Sequence, residues 1–415
     1  MKIQRVEKHI IKPSHPDWAL CDKLCFNSKN LYNKVNFIIR SAFLGKLENI
    51  EEYKGLIKNE RFVSSYDLIN RMTKLNDIDY RSLKPQTSQQ ILIELSTIWK
   101  SYFRALKSYK SNPSKFSGRP KMPSYKHKEK GRYVTTFTNQ TARIKDRKIC
   151  FSKTESFKRI RTDKTNFQQI KIIPKLDGSY HINIIYNKET QEQKNNGYSF
   201  AIDLGVNNLM AITSDKVNFR PILINGRQLK SYNWFWNKTK AKLQSKSNGK
   251  FTLKRITKLT FKRNNKINDY LHKASKLLID KAINENINSI IIGYNDGWKN
   301  DINLGKKNNQ NFVNIPYATL IHYIQYKAEE NGINVKLIKE SYTSKCSSLD
   351  KEPIEKHEKY QGKRIKRGLF KTKAGLEINA DVNGSFNILR KVIGNDFINL
   401  LNIGCVLQPK SVKVI

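Results

Sequence analysis

Acidic residues are scarce in this 415-residue chain. Only 35 Asp and Glu stand against 78 Lys and Arg, a formal net charge of +43, or about one positive charge per ten residues. Such an excess repels itself unless a polyanion shares the surface, and nucleic acid is the natural candidate. Long apolar runs are missing too: no segment approaches the roughly 20 residues of a transmembrane helix. The start, Met1-Lys2-Ile3-Gln4-Arg5-Val6-Glu7-Lys8, alternates like a strand and has no apolar stretch of a secretory signal. These features predict an intracellular protein without a membrane partner. Hydrophobic residues still make up 38% of the chain and aromatics 10%, enough to fold and bury a core.

Cysteine is sparse. Five residues (Cys21, Cys25, Cys150, Cys346, Cys405) include no Cys-x-x-Cys pair, which argues against a disulfide scaffold. Cys21 and Cys25, four apart in a helical pattern, read as buried helix residues rather than half a metal site. Cys346 stands alone, and a Cys346–His357 pair falls short of the four ligands of a structural zinc, so no zinc is expected.

What is present divides into two grammars. Residues 1–11 read as a strand, 14–44 as a long helix, and 88–109 as a second helix with Ile91, Leu95, Ile98, Tyr102 and Leu106 on one stripe. From Lys100 to Arg132 eleven basic residues meet one acidic residue, interleaved with aromatics. The centre, Phe116-Ser117-Gly118-Arg119-Pro120-Lys121-Met122-Pro123-Ser124-Tyr125-Lys126, must be extended or looped. Rigid backbone, dense charge and aromatic faces together favour a nucleic-acid contact, with Arg119, Lys121, Tyr125 and Lys126 as candidates. Alternation returns over 134–151, 170–173 and 180–186, so a β-rich module is split by a helical insertion and ends near Gly197.

Beyond Ser199 the order becomes three closely spaced strands (200–206, 209–213, 219–224), a long helix marked by Leu253 to Leu278, a strand (289–292), a helix (317–330) and a strand (335–338). That is the order of a ribonuclease-H-like α/β sheet. Three acids fall at telling places: Asp203 inside an apolar strand, Glu340 just past the last strand, and Asp381 at the start of a closing helix. Singly, each fits a bland role as cap, surface loop residue or helix N-terminal acid. Together they lie at strand and helix ends that converge on one edge in such a sheet. Clustered carboxylates repel unless a divalent cation neutralises them, and Mg²⁺ prefers oxygen ligands. Two such ions could activate water for phosphodiester cleavage. The run Lys238–Lys266 carries eleven basic residues and no acid, which suggests a nucleic-acid channel lined by Lys254, Arg255, Lys258, Lys262 and Arg263.

Ile202-Asp203-Leu204-Gly205, Ile292-Gly293-Tyr294-Asn295 with Trp298-Lys299, Glu340-Ser341-Tyr342-Thr343-Ser344-Lys345, and Asn379-Ala380-Asp381-Val382-Asn383-Gly384 resemble the TnpB (OrfB) proteins of insertion sequences. These are RNA-guided DNA nucleases related to the type V CRISPR effectors. The resemblance extends from about residue 85 and includes 116–128, Asn225-Gly226-Arg227-Gln228-Leu229 and Asp269-Tyr270-Leu271-His272-Lys273. It implies an α+β multidomain chain: a split β-barrel-like wedge module (1–15 and 113–195) with a helical recognition insertion (16–112), followed by a RuvC-like nuclease domain (196–340, closing helix 377–400). A basic insertion that loads target nucleic acid (341–376) and a tail (401–415) complete it. The implied activity is divalent-metal-dependent DNA cleavage at Asp203, Glu340 and Asp381 with Mg²⁺, which Mn²⁺ could replace. The implied partners are a guide RNA from the transposon end and double-stranded target DNA beside a short flanking motif. The implied state is a monomeric ribonucleoprotein in a prokaryotic cytoplasm, on the nucleoid.

Two positions depart from the family pattern. The usual middle acid at the end of the fourth strand is Gly293 here. A glutamate on the adjacent strand, about 4.8 Å away, can span much of that gap, so Glu340 is preferred over Asp296 as the relocated acid. The second departure is the missing pair of Cys-x-x-Cys motifs. A nuclease-inactive RNA-guided repressor and a conventional ribonuclease-H-like transposase are the alternative readings. An actin-like ATPase also begins with a strand reading Asp-Leu-Gly, but no later Asp-Gly-Gly loop follows.

Overall fold

The computed structural model describes residues 2–57, 63–151, 156–193, 197–246, 254–294 and 314–414. The chain forms two compact units, Lys2–Lys188 and Glu189–Ile415, each with its own core.

In the N-terminal unit, β1 (Lys2–Ile11) leads into α1 (Trp18–Phe43). Then come α2 (Ser65–Lys74), α3 (Ile78–Arg81) and α4 (Pro85–Ser111), and after these β2 (Thr135–Thr138) and the small antiparallel sheet β3 (Arg143–Lys145), β4 (Lys148–Cys150) and β5 (Ser156–Arg161). β6 (Phe167–Pro174) and β7 (Tyr180–Glu189) form a hairpin, and the main sheet runs β1-β7-β6-β2. Gly178 supplies the positive φ (82°) that the 175–179 turn requires. Sequence pattern locates both long helices within a few residues. The 65–81 helices were not expected; Ser64 and Asp77, whose side chains accept from Tyr66 and Tyr80 N–H, are the caps that could have shown them. Cys21 and Cys25 are buried, and burial pushes the Cys25 thiol up to about 12, so both act as packing residues.

One face of α1 fixes the basic extended segment. Lys29, Tyr32, Asn33 and Asn36 recur at helical spacing and hydrogen-bond its main chain. Lys29 donates to Lys128 O, Tyr32 to Ser124 O (3.2 Å), Asn33 to Lys126 O (2.9 Å) and Asn36 to Pro123 O (3.1 Å). Asn33 also accepts from Lys126 N–H (2.8 Å). Asn36 is itself held by the Trp99 indole N–H (2.9 Å), so the α1–α4 core braces this segment.

The second unit carries a six-stranded sheet. Its strands are β8 (Tyr198–Leu204), β9 (Asn208–Ser214), β10 (Ile222–Asn225), β11 (Ile287–Gly293), β12 (Asn334–Ile338) and a final strand (Lys410–Val412). Their order is β12-β11-β8-β9-β10-final strand. β9 runs antiparallel to its neighbours β8 and β10, whereas β11 and β12 run parallel to β8. The core five strands thus have the 5-4-1-2-3 order of a ribonuclease-H-like sheet. α5 (Arg227–Ser245) and α6 (Lys254–Asn284) follow β10, and α7 (Tyr317–Glu330) precedes β12. The period-2 alternation of β8 sorts the layers: Phe200, Ile202 and Leu204 pack with residues of α6 and α7. Ala201 packs on the other face beneath α8 (Ala380–Ile393), with Ala211 and Ile291. Small residues let α8 approach closely, and Ser385 Oγ donates to Ala201 O (2.9 Å).

Trp99 is fully buried and holds Asn36. Trp99→Ala should lower unfolding free energy by about 3–5 kcal/mol, read as a shift of the urea midpoint.

Candidate functional site

The site is built at the carboxyl ends of β8, β11 and β12, the edge where open α/β sheets place their ligands. Asp203 lies on the same face of β8 as Ala201, toward α8. The parallel register pairs Ile202 with Ile292 and Gly293 with Ile338, so residue 293 stands beside Asp203 on that face. A side chain there would fill the site: an added Cβ would lie 2.4 Å from Glu340 Oε1, 2.6 Å from its Cγ and 2.5 Å from Ile388 Cδ1. Glu340, two residues past β12, therefore occupies the space above Gly293 that a β11 side chain would otherwise take. Gly384 on α8 serves the same purpose from above, its missing Cβ position being 2.8 Å from Asp203 Oδ2.

Local hydrogen bonds fix Glu340's position. Its carbonyl accepts from Thr343 N–H (3.2 Å) and Thr343 Oγ1 (2.8 Å), and Lys391 Nζ on α8 donates to the flanking carbonyls of Lys339 (2.9 Å) and Ser341 (2.8 Å). Asn379 caps α8, accepting from the Asp381 and Val382 N–H groups. Asp381 Oδ2 accepts from Asn208 Nδ2 (2.8 Å), and Arg364 lies 3.7 Å from its Oδ1. The Tyr317 hydroxyl donates to Gly205 O (2.9 Å) just beyond Asp203.

Asp203 keeps a small opening to solvent. Protein packed around its carboxyl, with the charges of Glu340 and Asp381, holds its pKa well above the usual carboxylate range. Burial pushes Glu340 up to about 7, with Lys391 pulling partly the other way. The three acids thus share one field. Among the described residues no three His, Cys, Asp or Glu side chains are drawn tightly enough to grip an ion. Even so, an all-carboxylate donor set facing a cleared space, and repelling itself, fits a hard divalent cation. Asp296, Asn295, Trp298 and Lys299 lie outside the described residues.

Hydrogen bonds to Glu352 and to α8 organise the 341–379 segment. Glu352, buried, accepts from Ser347 N–H (2.6 Å) and Gln361 N–H (2.8 Å). On α8, Asn383 and Asn387 donate to Cys346 O, and Arg390 donates to Glu352 O. Cys346 Sγ donates to Glu355 O, while the His357 ring engages Pro353 O, so these two do not form a pair. A hairpin, Lys363–Lys366 with Leu369–Lys371, brings Arg364 toward Asp381.

The candidate nucleic-acid residues fall in different settings. Arg119 and Lys121 are exposed in the segment leading to the stretch held by α1; Lys126 lies over the Tyr32 and Tyr133 rings, and Tyr125 under Arg40. Lys254, Arg255, Lys258 and Lys262 are exposed on α6. Arg263 is turned inward: it donates to Asn233 Oδ1 (2.6 and 2.8 Å) and Asn314 O (2.8 Å) and stacks on Trp236, which makes it a helix-pair anchor. Asn208, Arg364, Lys391 and Tyr317 were not foreseen. The Asn207-Asn208 pair just after the Asp203 strand was the one signal available.

Sheet order and fold define a mixed α+β, multidomain chain with RuvC-like architecture. Residues 182–299 match the family model "OrfB_IS605, probable transposase", and residues 317–388 match the Cas12f1-like TNB domain. A TnpB-like protein of Methanocaldococcus jannaschii is 27% identical over 231 residues, 54% of this chain and 79% of that protein. The CRISPR-associated endodeoxyribonuclease Cas12f1 of Sulfoacidibacillus thermotolerans is 34% identical over 122 residues, 28% of this chain and 25% of that protein. Among solved structures, a Cas12f1–sgRNA–target DNA complex shares the fold with a TM-score of 0.50 at 16% identity, over 90% of this chain and 82% of that one. The matches make the chain similar to TnpB-like proteins and, over residues 317–388, to a Cas12f1-like domain.

With Glu340 raised to about 7, the folded chain holds a proton that the unfolded chain releases between its ordinary value and neutrality. The stability this contributes is full below the unfolded value and lost as pH rises through about 7. In chelator, Glu340→Gln should raise the melting temperature at pH 8 and leave it nearly unchanged at pH 4, as read by calorimetry.

Proposed function

We propose that the chain is an RNA-guided, divalent-metal-dependent DNA endonuclease of an insertion sequence, cutting beside a short flanking motif with Asp203, Glu340 and Asp381 as its acids. The observation that carries this reading is the field shared by Asp203, Glu340 and Asp381 at the carboxyl edge of the sheet, over a space kept clear by Gly293 and Gly384. The relatives supply the reaction class: one is named an endodeoxyribonuclease, and the similar solved structure is a complex with sgRNA and target DNA.

On this reading the three carboxylates would hold Mg²⁺, or Mn²⁺ in its place. The bound cation supplies Lewis acidity and an activated water for phosphodiester hydrolysis. Asn208 and Arg364 orient Asp381. Thr343 and Lys391 hold the backbone on either side of Glu340. Guide pairing reads sequence while the protein tracks backbone and shape, with Arg119, Lys121, Lys126 and the outward basic residues of α6 as phosphate contacts. Residues 1–15 and 113–195 serve as the wedge, 16–112 as the recognition insertion, and 341–376 as the target-loading insertion. The complex works as a monomeric ribonucleoprotein in a prokaryotic cytoplasm.

The test is cleavage of a target library with randomised flanks, in Mg²⁺, by protein purified with its RNA. Asp203→Ala should abolish cutting and keep the RNA. Glu340→Gln and Gly293→Ala should each slow cutting at least about a hundredfold, the scale of losing a group that acts on transition-state charge. Full cutting by Asp203→Ala would remove that residue from the mechanism. Binding without nicking by the unaltered chain would make it a repressor, and cutting that survives ribonuclease treatment would make it a conventional transposase.

A further inference from the structure

Helix α5 leaves the carboxyl end of β10, where Asn225 pairs with Asn208, the residue that holds Asp381. Its N-terminus therefore rises from the same sheet edge as the acids. Its sequence, RQLKSYNWFWNKTKAKLQS, contains no acidic residue. The inward side is satisfied by packing: Leu229 and Asn233 are buried, and the Trp236 indole N–H donates to Thr260 Oγ1 (3.1 Å) while Arg263 stacks on its ring.

The outward side is unusual. Trp234 is 56% exposed and Phe235 58% exposed, neighbours on a soluble helix where burial of such rings is the favourable outcome. Lys238 and Lys242 follow Trp234 at successive helical turns, both exposed, and Lys238 Nζ lies 5.1 Å above the Trp234 ring. Two exposed rings, consecutive in sequence and about 100° apart around the helix, beside exposed lysines and with no anion on the helix, match bases that stack and phosphates that pair. A second protein surface would find this stripe rimmed by unanswered positive charge, on a chain that already carries +43. Seven residues separate Arg227 from Trp234, about 10 Å along the helix axis, so a strand stacked on the rings lies a short step from the acids.

We infer that the outward face of α5, Trp234 and Phe235 with Lys238 and Lys242, is a stacking platform for single-stranded DNA on its way to the carboxylate edge. The choice of DNA over RNA rests on the cleavage reading above. The platform itself requires neither metal nor cutting.

The full chain, purified with whatever RNA it carries, is titrated in chelator against a fluorescein-labelled thymidine 20-mer at several salt concentrations. Trp234→Ala and Phe235→Ala should each weaken binding about tenfold, the scale of one lost base stack, with an unchanged salt slope. Lys238→Gln and Lys242→Gln should each reduce the salt slope by about 0.7, the counterion share of one phosphate on a single strand. RNA content and melting temperature should stay as in the unaltered chain. Unchanged DNA affinity in the Trp234→Ala/Phe235→Ala double variant would overturn the inference. So would loss of bound RNA with DNA affinity intact, which would assign the face to RNA. A dimer in sedimentation that dissociates in the double variant would assign it to a second copy. Cleavage by the unaltered chain is scored separately, so a failed platform and a failed nuclease are told apart.

Discussion

Repulsion among carboxylates is the constraint around which the second unit is arranged. Asp203 cannot be moved to solvent without leaving a buried strand, and Asp381 is fixed at the start of α8 by its cap and by Asn208. Bringing a third acid to them requires an empty position on the middle strand. Gly293 provides it, and Ile388 and the Glu340 side chain fill the space around it. The loop after β12 is then stitched to α8 through Thr343, Asn387 and Lys391, so the helix that carries Asp381 also holds Glu340. Burial, and then the charges of Glu340 and Asp381, raise the proton affinity of Asp203, while burial alone raises that of Glu340.

The 341–379 segment solves a related problem with different chemistry. A short segment with two turns has little core of its own and needs cross-links. Here buried Glu352 joins its two turns through main-chain N–H groups, and Asn383, Asn387 and Arg390 fasten it to α8. Charge-assisted hydrogen bonds of this kind are among the stronger polar contacts a buried site can make. In the N-terminal unit, α1 does the comparable work for the basic extended segment, holding main-chain groups at 123–128 while Arg119 and Lys121 stay exposed.

Much of the α/β unit was legible because its signals are local. The strand at 289–292 was marked by the apolar run Ile290–Ile292, and the 254–284 helix by apolar residues near a 3.6-residue period. The order of those elements suffices for the sheet topology. Asp203 stood out as an acid inside an apolar strand, and Asp381 by its place at the start of the closing helix. What stayed hidden depends on three-dimensional adjacency. The roles of Asn208 and Arg364 at Asp381, 173 and 17 positions away in the chain, have no sequence signature. Arg263 counted as one of a basic run, yet its guanidinium faces Asn233 and Asn314. Charge runs report composition, whereas direction is set by which face a helix turns to its neighbour. Strand 410–412 was unseen because three residues pairing parallel with β10 are too few for a periodic signal.

The central claim is that Glu340, reaching over Gly293, completes a carboxylate set with Asp203 and Asp381 that takes a divalent cation. Calorimetric titration of the purified chain with Mn²⁺ tests it most directly. Wild-type protein should bind, and Asp203→Asn and Glu340→Gln should each lose most of that binding at unchanged fold. Wild-type affinity retained by Glu340→Gln would contradict the account and return the middle position to another residue.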